Sequence, residues 1–139
     1  MLQFPLLQPE ILESLGSAGH GSRVLIADGN YPFTTGTNPS ARKVYLNLAP
    51  DMLKVTDVLE VLVKAIPIEA AHVMVPDDGS EPAIFAEFRK IMPEPGLETL
   101  DRFAFYDQSK TADVALVIAT GERRIYANIL LTIGVVAPN

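Results

Sequence analysis

One short apolar run limits how this chain can fold. The residues from Val24 to Ala27 are all apolar, which is typical of a strand that is buried on both faces of a parallel sheet. Asp28 closes the run and is followed by a turn sequence from Gly29 to Pro32. Because ligands of open α/β sheets bind outside the carboxyl ends of strands, Asp28 is a candidate site residue. The alternative is an ordinary turn acid.

Helical and strand patterns alternate along the rest of the chain. Prolines at helix starts, apolar stripes and terminating Gly or Pro residues predict helices over 9–16, 56–66, 82–91 and 102–106. Thr56 and Asp101 are the predicted N-caps of the second and fourth helices. Alternating or continuous apolar residues predict further strands over 44–48, 71–75, 114–119 and 129–136. A chain of 139 residues that is 48% hydrophobic suits one core, so we expect a single α/β domain.

Composition excludes several classes of function. The net charge of −6 and the isoelectric point near 4.8 argue against a nucleic-acid partner and against binding to anionic membranes. The absence of cysteine excludes disulfides and thiolate chemistry, and it fits a cytoplasmic protein. The first five residues do not resemble a signal peptide, and no apolar stretch approaches the ~18 residues of a membrane span.

The two histidines lie in different contexts. His20 stands between Gly19 and Gly21, after the first predicted helix and just before the buried strand. With Gly16, these glycines suggest a dinucleotide-binding loop, but they precede a strand rather than follow one, so that interpretation is rejected. His72 lies in an alternating apolar segment, where a histidine is more often structural than a ligand.

Polar side chains also recur near the end of the chain. If residues 124–128 are extended, Arg124, Tyr126 and Asn128 share one face, because side chains alternate along a strand. A phenol beside a carboxamide suits sugar hydroxyls, since both groups donate and accept hydrogen bonds. An exposed polar edge is an equally good interpretation.

Arg102 occupies an unfavourable position in its predicted helix. A cation in the first turn opposes the helix dipole and costs up to ~1 kcal/mol. This conflict indicates a function, although an ion pair with Glu98 or Asp101 explains it equally well.

Three motifs together resemble the ribose pyranase and fucose mutarotase family. They are HGxxVxIxDxNYP over residues 20–32, RFAFY over 102–106, and GExxxYxNILLxxGV over 121–135. The similarity covers nearly the whole chain, and the middle motif is similar to the fucose mutarotase branch. The residue that matches Arg102 is often histidine in ribose pyranases, so arginine favours a 6-deoxyhexose such as L-fucose. Residues 68–71 and 126–129 resemble the ribose branch as well, which keeps D-ribose open.

The resemblance implies a fold, an activity, an assembly and a set of site residues for the protein. It implies a three-layer α/β/α sandwich around a mostly parallel or mixed sheet, with residues 1–139 as one mutarotase-like domain. The activity would be anomer interconversion without cofactor or metal, in the cytoplasm, by a large ring-like homo-oligomer with sites at subunit interfaces. Its other partner would be the monosaccharide substrate, L-fucose or D-ribose. The family's catalytic acid/base matches His20, and its sugar-binding residues match Asp28, Arg102, Tyr126 and Asn128.

The residue types suit this chemistry. Opening a hemiacetal ring removes a proton from the anomeric hydroxyl and delivers one to the ring oxygen. Histidine titrates near ~6.5 and can do both, and Tyr126 is the candidate second proton donor. Asp28 either orients His20 or binds a sugar hydroxyl. Tyr31 or Tyr106 offers an apolar face for the ring.

Two other classes of function stay open. A non-catalytic sugar-binding or transport-accessory protein on the same scaffold would use His20 only as a hydrogen-bonding group. A metal-dependent enzyme would use His20 and Asp28 as ligands, but no third ligand stands at a plausible spacing, which makes this the weakest alternative.

Overall fold

The computed structural model describes all 139 residues as an alternation of helices and strands. The four helices are α1 (Pro9–Ser17), α2 (Val55–Leu62), α3 (Ile84–Ile91) and α4 (Arg102–Ser109). The six strands are β1 (Arg23–Ala27), β2 (Arg42–Tyr45), β3 (Ile68–Met74), β4 (Leu97–Leu100), β5 (Val114–Ala119) and β6 (Ile129–Ile133).

All six strands form one mixed sheet in the order β2-β5-β1-β6-β3-β4. The pairs β1–β5, β2–β5 and β3–β4 are parallel, whereas β6 runs antiparallel to both β1 and β3. The carboxyl ends of five strands therefore lie together with the start of β6. We call this side of the sheet the carboxyl edge and the opposite side the amino edge.

The apolar run in β1 is the centre of the core. Val24 and Ile26 pack in the larger cluster, which contains side chains of α1, α2 and α3, and Leu25 and Ala27 pack in the smaller one with Phe105 of α4. The side chains of these four residues are 0% exposed, and burying a large aliphatic side chain stabilises a fold by about 1.5–3 kcal/mol. Helices thus cover both faces, which confirms the three-layer α/β/α prediction.

Several predicted boundaries differ from those of the structure. The N-cap of α2 is Lys54 rather than Thr56, because the Asp57 carboxylate accepts the backbone N–H of Lys54 at 2.9 Å. The helix then ends at Leu62. The strand β2 spans Arg42–Tyr45 rather than residues 44–48, β6 ends at Ile133 rather than at Val136, and β4 was not predicted. The longest helix, α1, has only 9 residues, and no helix is both long and apolar enough to cross a membrane.

Candidate active site

Asp28 and Asn128 meet at the carboxyl edge. The backbone N–H of Asp28 donates to Asn128 Oδ1 at 2.7 Å, and the Asp28 carboxylate accepts N–H groups of Asn30 at 3.0 Å and Ala127 at 3.2 Å. Both side chains are buried, at 2% and 3% exposed. Burial raises the pKa of Asp28 above its ordinary value, and the backbone hydrogen bonds, led by that from Ala127, oppose the shift.

Tyr126 lies in a turn, so the extended conformation considered for residues 124–128 is wrong. Its φ of 57° is in the left-handed region, which costs a tyrosine on the order of 1–3 kcal/mol. The turn persists because the next residue, Ala127, is bonded to the Asp28 carboxylate. Tyr126 therefore packs against the smaller core cluster, while Arg124 bonds to a different group.

That group is the buried carboxylate of Glu122, which sequence reasoning noted only as part of a motif. It is 1% exposed and accepts Arg124 Nε at 2.9 Å, Arg124 N–H at 3.2 Å and Val55 N–H at 3.3 Å. Arg124 also pairs with Glu87 of α3. Burial acts to raise the pKa of Glu122, but the hydrogen bonds from the Arg124 side chain and backbone, the Arg124 charge and the Val55 N–H together outweigh it and hold the pKa below its usual range. The Glu122 carbonyl accepts Gly29 N–H at 2.9 Å, so this residue ties the turn to the end of β1.

Arg102 begins α4 at the same edge without a carboxylate partner. Asp101 caps the helix as predicted, since its Oδ1 accepts the N–H of Ala104 at 2.8 Å. Glu98 pairs instead with His72, at 2.6 Å, between β3 and β4. Neither acid forms a salt bridge with Arg102, so the exposed guanidinium is free to bind a ligand.

Aromatic rings connect Arg102 to the end of β1. The guanidinium carbon lies 5.8 Å from the Tyr106 ring and 5.5 Å from the Phe103 ring. Tyr106 contacts Tyr31 edge to face at 5.5 Å. Tyr31 is 5% exposed and its hydroxyl donates to the carbonyl of Gly36 at 2.7 Å. Of the two tyrosines considered as a sugar platform, Tyr106 is therefore the accessible one.

His20 lies at the amino edge, away from these residues. Its Nε2 is 2.9 Å and 3.1 Å from the two carboxylate oxygens of Glu69, near the start of β3. The five residues of β1 separate the two edges by roughly 16 Å. Asp28 therefore cannot orient His20 within one chain. The structure brings four predicted site residues to the carboxyl edge and leaves His20 at the other.

Two open cavities lie at the carboxyl edge. One of about 470 Å³ is lined by Gly29, Asn30 and residues 120–123 among others, and one of about 540 Å³ lies beside Tyr126. Neither is lined by Arg102 or His20. No group of three His, Cys, Asp or Glu residues is arranged to hold a metal ion.

Comparison with known proteins adds independent information on the family. The chain is 31% identical to the fucose mutarotase of Homo sapiens, in an alignment covering 96% of this chain and 92% of the relative. The fucose mutarotase of Streptococcus pneumoniae, solved in complex with L-fucose, superposes with a TM-score of 0.83 at 26% identity, covering 99% of this chain and 100% of that one. Bacillus subtilis RbsD, complexed with D-ribose, gives a TM-score of 0.84 at 27% identity with the same coverage.

These similarities confirm the resemblance inferred from the three sequence motifs. The family model for RbsD and FucU proteins matches residues 1–136, almost the whole chain. The chain belongs to the RbsD / FucU transport protein family.

Proposed function

We propose that this chain is a cofactor-independent sugar mutarotase that interconverts the α and β anomers of a monosaccharide, with L-fucose as the preferred substrate. Residues 1–139 would act as one catalytic domain. The observation that carries the proposal is the set of polar groups at the carboxyl edge. It combines the buried carboxyl of Asp28, the amide of Asn128, the phenol of Tyr126 and the unpaired guanidinium of Arg102. The named fucose mutarotase relative and the L-fucose complex support the substrate.

The contacts leave suitable atoms for a sugar. Asn128 accepts the Asp28 N–H through its carbonyl oxygen and also donates to the Asp28 carboxylate, which leaves one hydrogen of the amide nitrogen to donate to a sugar. The Asp28 oxygens each accept one backbone N–H, and a carboxylate has further lone pairs for a sugar hydroxyl. Arg102 supplies donors in a fixed plane beside the Tyr106 ring. These groups can hold the hydroxyls of the sugar by hydrogen bonds while the sugar ring opens and closes.

In this proposal, the acid/base of each site is the His20 of a second copy of the chain. His20 lies at the amino edge, so it reaches the carboxyl-edge residues only if two protomers pack edge to edge. A contact between unlike edges gives a ring where the rotation between neighbouring subunits closes, which fits a large homo-oligomer with interfacial sites. Phe103 and Ile125, at 68% and 64% exposed beside the site, are apolar surface that such packing would cover. The family resemblance also supports a cytoplasmic location.

Exchange NMR at the anomeric protons tests the proposal. L-fucose and D-ribose are each measured with and without catalytic amounts of protein, before and after EDTA treatment. We expect faster α/β exchange of L-fucose that EDTA does not change. Faster pyranose–furanose exchange of D-ribose alone would make the protein a ribose pyranase, the function that the D-ribose complex of RbsD favours. Sugar binding without acceleration would indicate a non-catalytic binding protein.

Arg102→Ala is expected to raise the KM for L-fucose by about 10–100-fold with little change in kcat. The lost interaction is a charge-assisted hydrogen bond of about 1.5–3 kcal/mol, present in both ground and transition states. The measurement is the exchange rate as a function of L-fucose concentration. Lys110→Ala, which removes an exposed cation from the other end of α4, is the matched control. An unchanged KM in Arg102→Ala would exclude Arg102 from sugar binding.

A further inference from the structure

His20 has one side-chain partner, and that partner determines which imidazole nitrogen is free. Both oxygens of Glu69 lie within 3.1 Å of His20 Nε2. A carboxylate only accepts hydrogen bonds, so Nε2 must carry the hydrogen. In the neutral ring, Nδ1 is then the nitrogen with a free lone pair. Nδ1 makes no hydrogen bond within the chain.

We propose that Glu69 is a positioning residue that holds His20 in the Nε2–H tautomer and directs Nδ1 toward the sugar bound by a neighbouring protomer. This inference rests on the proposed function, because it assigns the reacting atom of the same acid/base. Glu69 touches His20 and acts through it.

The proton transfers follow from this assignment. The anomeric O–H bond breaks and its proton passes to Nδ1, while its electron pair forms the aldehyde carbonyl. The bond between the anomeric carbon and the ring oxygen breaks, and that oxygen takes a proton from Tyr126. Reclosure on the other face of the carbonyl reverses both transfers and gives the other anomer. The hydrogen on Nε2 stays on that nitrogen throughout and donates to the Glu69 carboxylate, which stabilises the transient imidazolium.

Backbone hydrogen bonds hold the two partners at a common anchor. The N–H of Gly21, next to His20, donates to the carbonyl of Ile133 at 2.9 Å, at the end of β6. The N–H of Gly134 donates to the carbonyl of Pro67 at 2.8 Å, two residues before Glu69. The loop that carries His20 and the start of β3 are therefore both bonded to the same end of one strand.

Gly134 also leaves the room that Glu69 occupies. A Cβ atom at position 134 would lie 3.2 Å from Glu69 Cβ and 3.7 Å from its Oε2. The side chain thus packs directly against the backbone of Gly134. Glu10 and Glu13 of α1 do not compete with Glu69 for His20, because both pair with Arg42. The backbones that carry His20 and Glu69 are therefore held close together at the amino edge, where the two exposed side chains pair.

The test combines imidazole nitrogen NMR with kinetics on the full-length protein. In the neutral imidazole, the ¹⁵N shifts of His20 report which nitrogen carries the hydrogen. We expect the Nε2–H tautomer in the wild type and a mixture of tautomers in Glu69→Gln. The same variant should lose about 10-fold in kcat for L-fucose exchange with an unchanged KM, and Glu69→Asp should recover part of the loss.

The matched control for Glu69→Gln is the same change at the other His–Glu pair of the chain. Glu98→Gln removes the corresponding partner of His72 and should leave the His20 shifts and kcat unchanged. If Glu69→Gln retains the wild-type tautomer, or changes it with no loss in kcat, the Glu69 assignment is overturned and the mutarotase proposal stands. If the wild type accelerates exchange of no sugar, both are overturned.

Discussion

His20→Ala is expected to slow the exchange of L-fucose anomers by about 10²–10⁴-fold, the usual contribution of a positioned acid/base. The sugar-binding residues at the carboxyl edge are untouched by this change, so part of the L-fucose affinity should remain. The His20 side chain is 58% exposed and belongs to neither core cluster, so the variant should fold normally. Exchange NMR gives the rate and titration with L-fucose gives the affinity.

His72→Gln is the control for this variant. His72 is 15% exposed and pairs with Glu98 across two neighbouring strands, so a neutral amide there should leave the exchange rate unchanged. Unchanged exchange in His20→Ala would remove His20 from the mechanism. The sugar would then have to be opened by groups of the carboxyl edge alone.

Glu122→Ala is expected to destabilise the fold by about 3 kcal/mol, at the low end of the range for buried ion pairs. The loss leaves the N–H groups of Val55 and Arg124 without an acceptor, while Arg124 stays 38% exposed and keeps Glu87 as a partner. Urea unfolding of both proteins measures the difference. Glu87→Gln removes the exposed partner of Arg124 and should cost less than about 1 kcal/mol. Equal stabilities of Glu122→Ala and wild type would contradict this role.

The contribution of Glu122 also predicts a pH dependence. Its pKa is lowered in the folded protein, so its charge stabilises the fold above the ordinary glutamate pKa of ~4.3. That stabilisation is lost as pH falls through the lower folded-state pKa. The difference in unfolding free energy between wild type and Glu122→Gln should therefore be largest at neutral pH and shrink below about pH 4. A difference that is independent of pH would show that the carboxylate charge is not what stabilises this turn.

Features set by local chemistry could be predicted from the sequence. The run from Val24 to Ala27 is buried on both faces because it has no polar side to expose. Asp101 caps α4 because its side chain reaches the N–H of a residue three positions later. By contrast, β4 is four half-exposed or exposed residues whose strand conformation depends on pairing with β3, which no pattern within 97–100 reveals.

The residues of the candidate site also divide into those that the local sequence predicts and those whose position depends on distant residues. Asp28 could be found because it closes a buried strand. The turn at Tyr126 could not, because it depends on a hydrogen bond from Ala127 to Asp28 across 99 positions. His20 and Asp28 are close in the sequence, yet a strand between them places them on opposite edges. Strand geometry, applied to that spacing, would have indicated that they cannot share a site within one chain.

Complementation between two inactive variants tests the central claim most directly. One variant is His20→Ala, and the other combines Arg102→Ala with Tyr126→Phe, which leaves His20 intact. Each should be inactive alone at low L-fucose concentration and should keep the wild-type oligomer size in light scattering. Co-assembled in equal amounts, they should recover about a quarter of the wild-type exchange rate, because one interface in four then combines two intact halves. No recovery from mixed oligomers would contradict a mutarotase site shared between protomers.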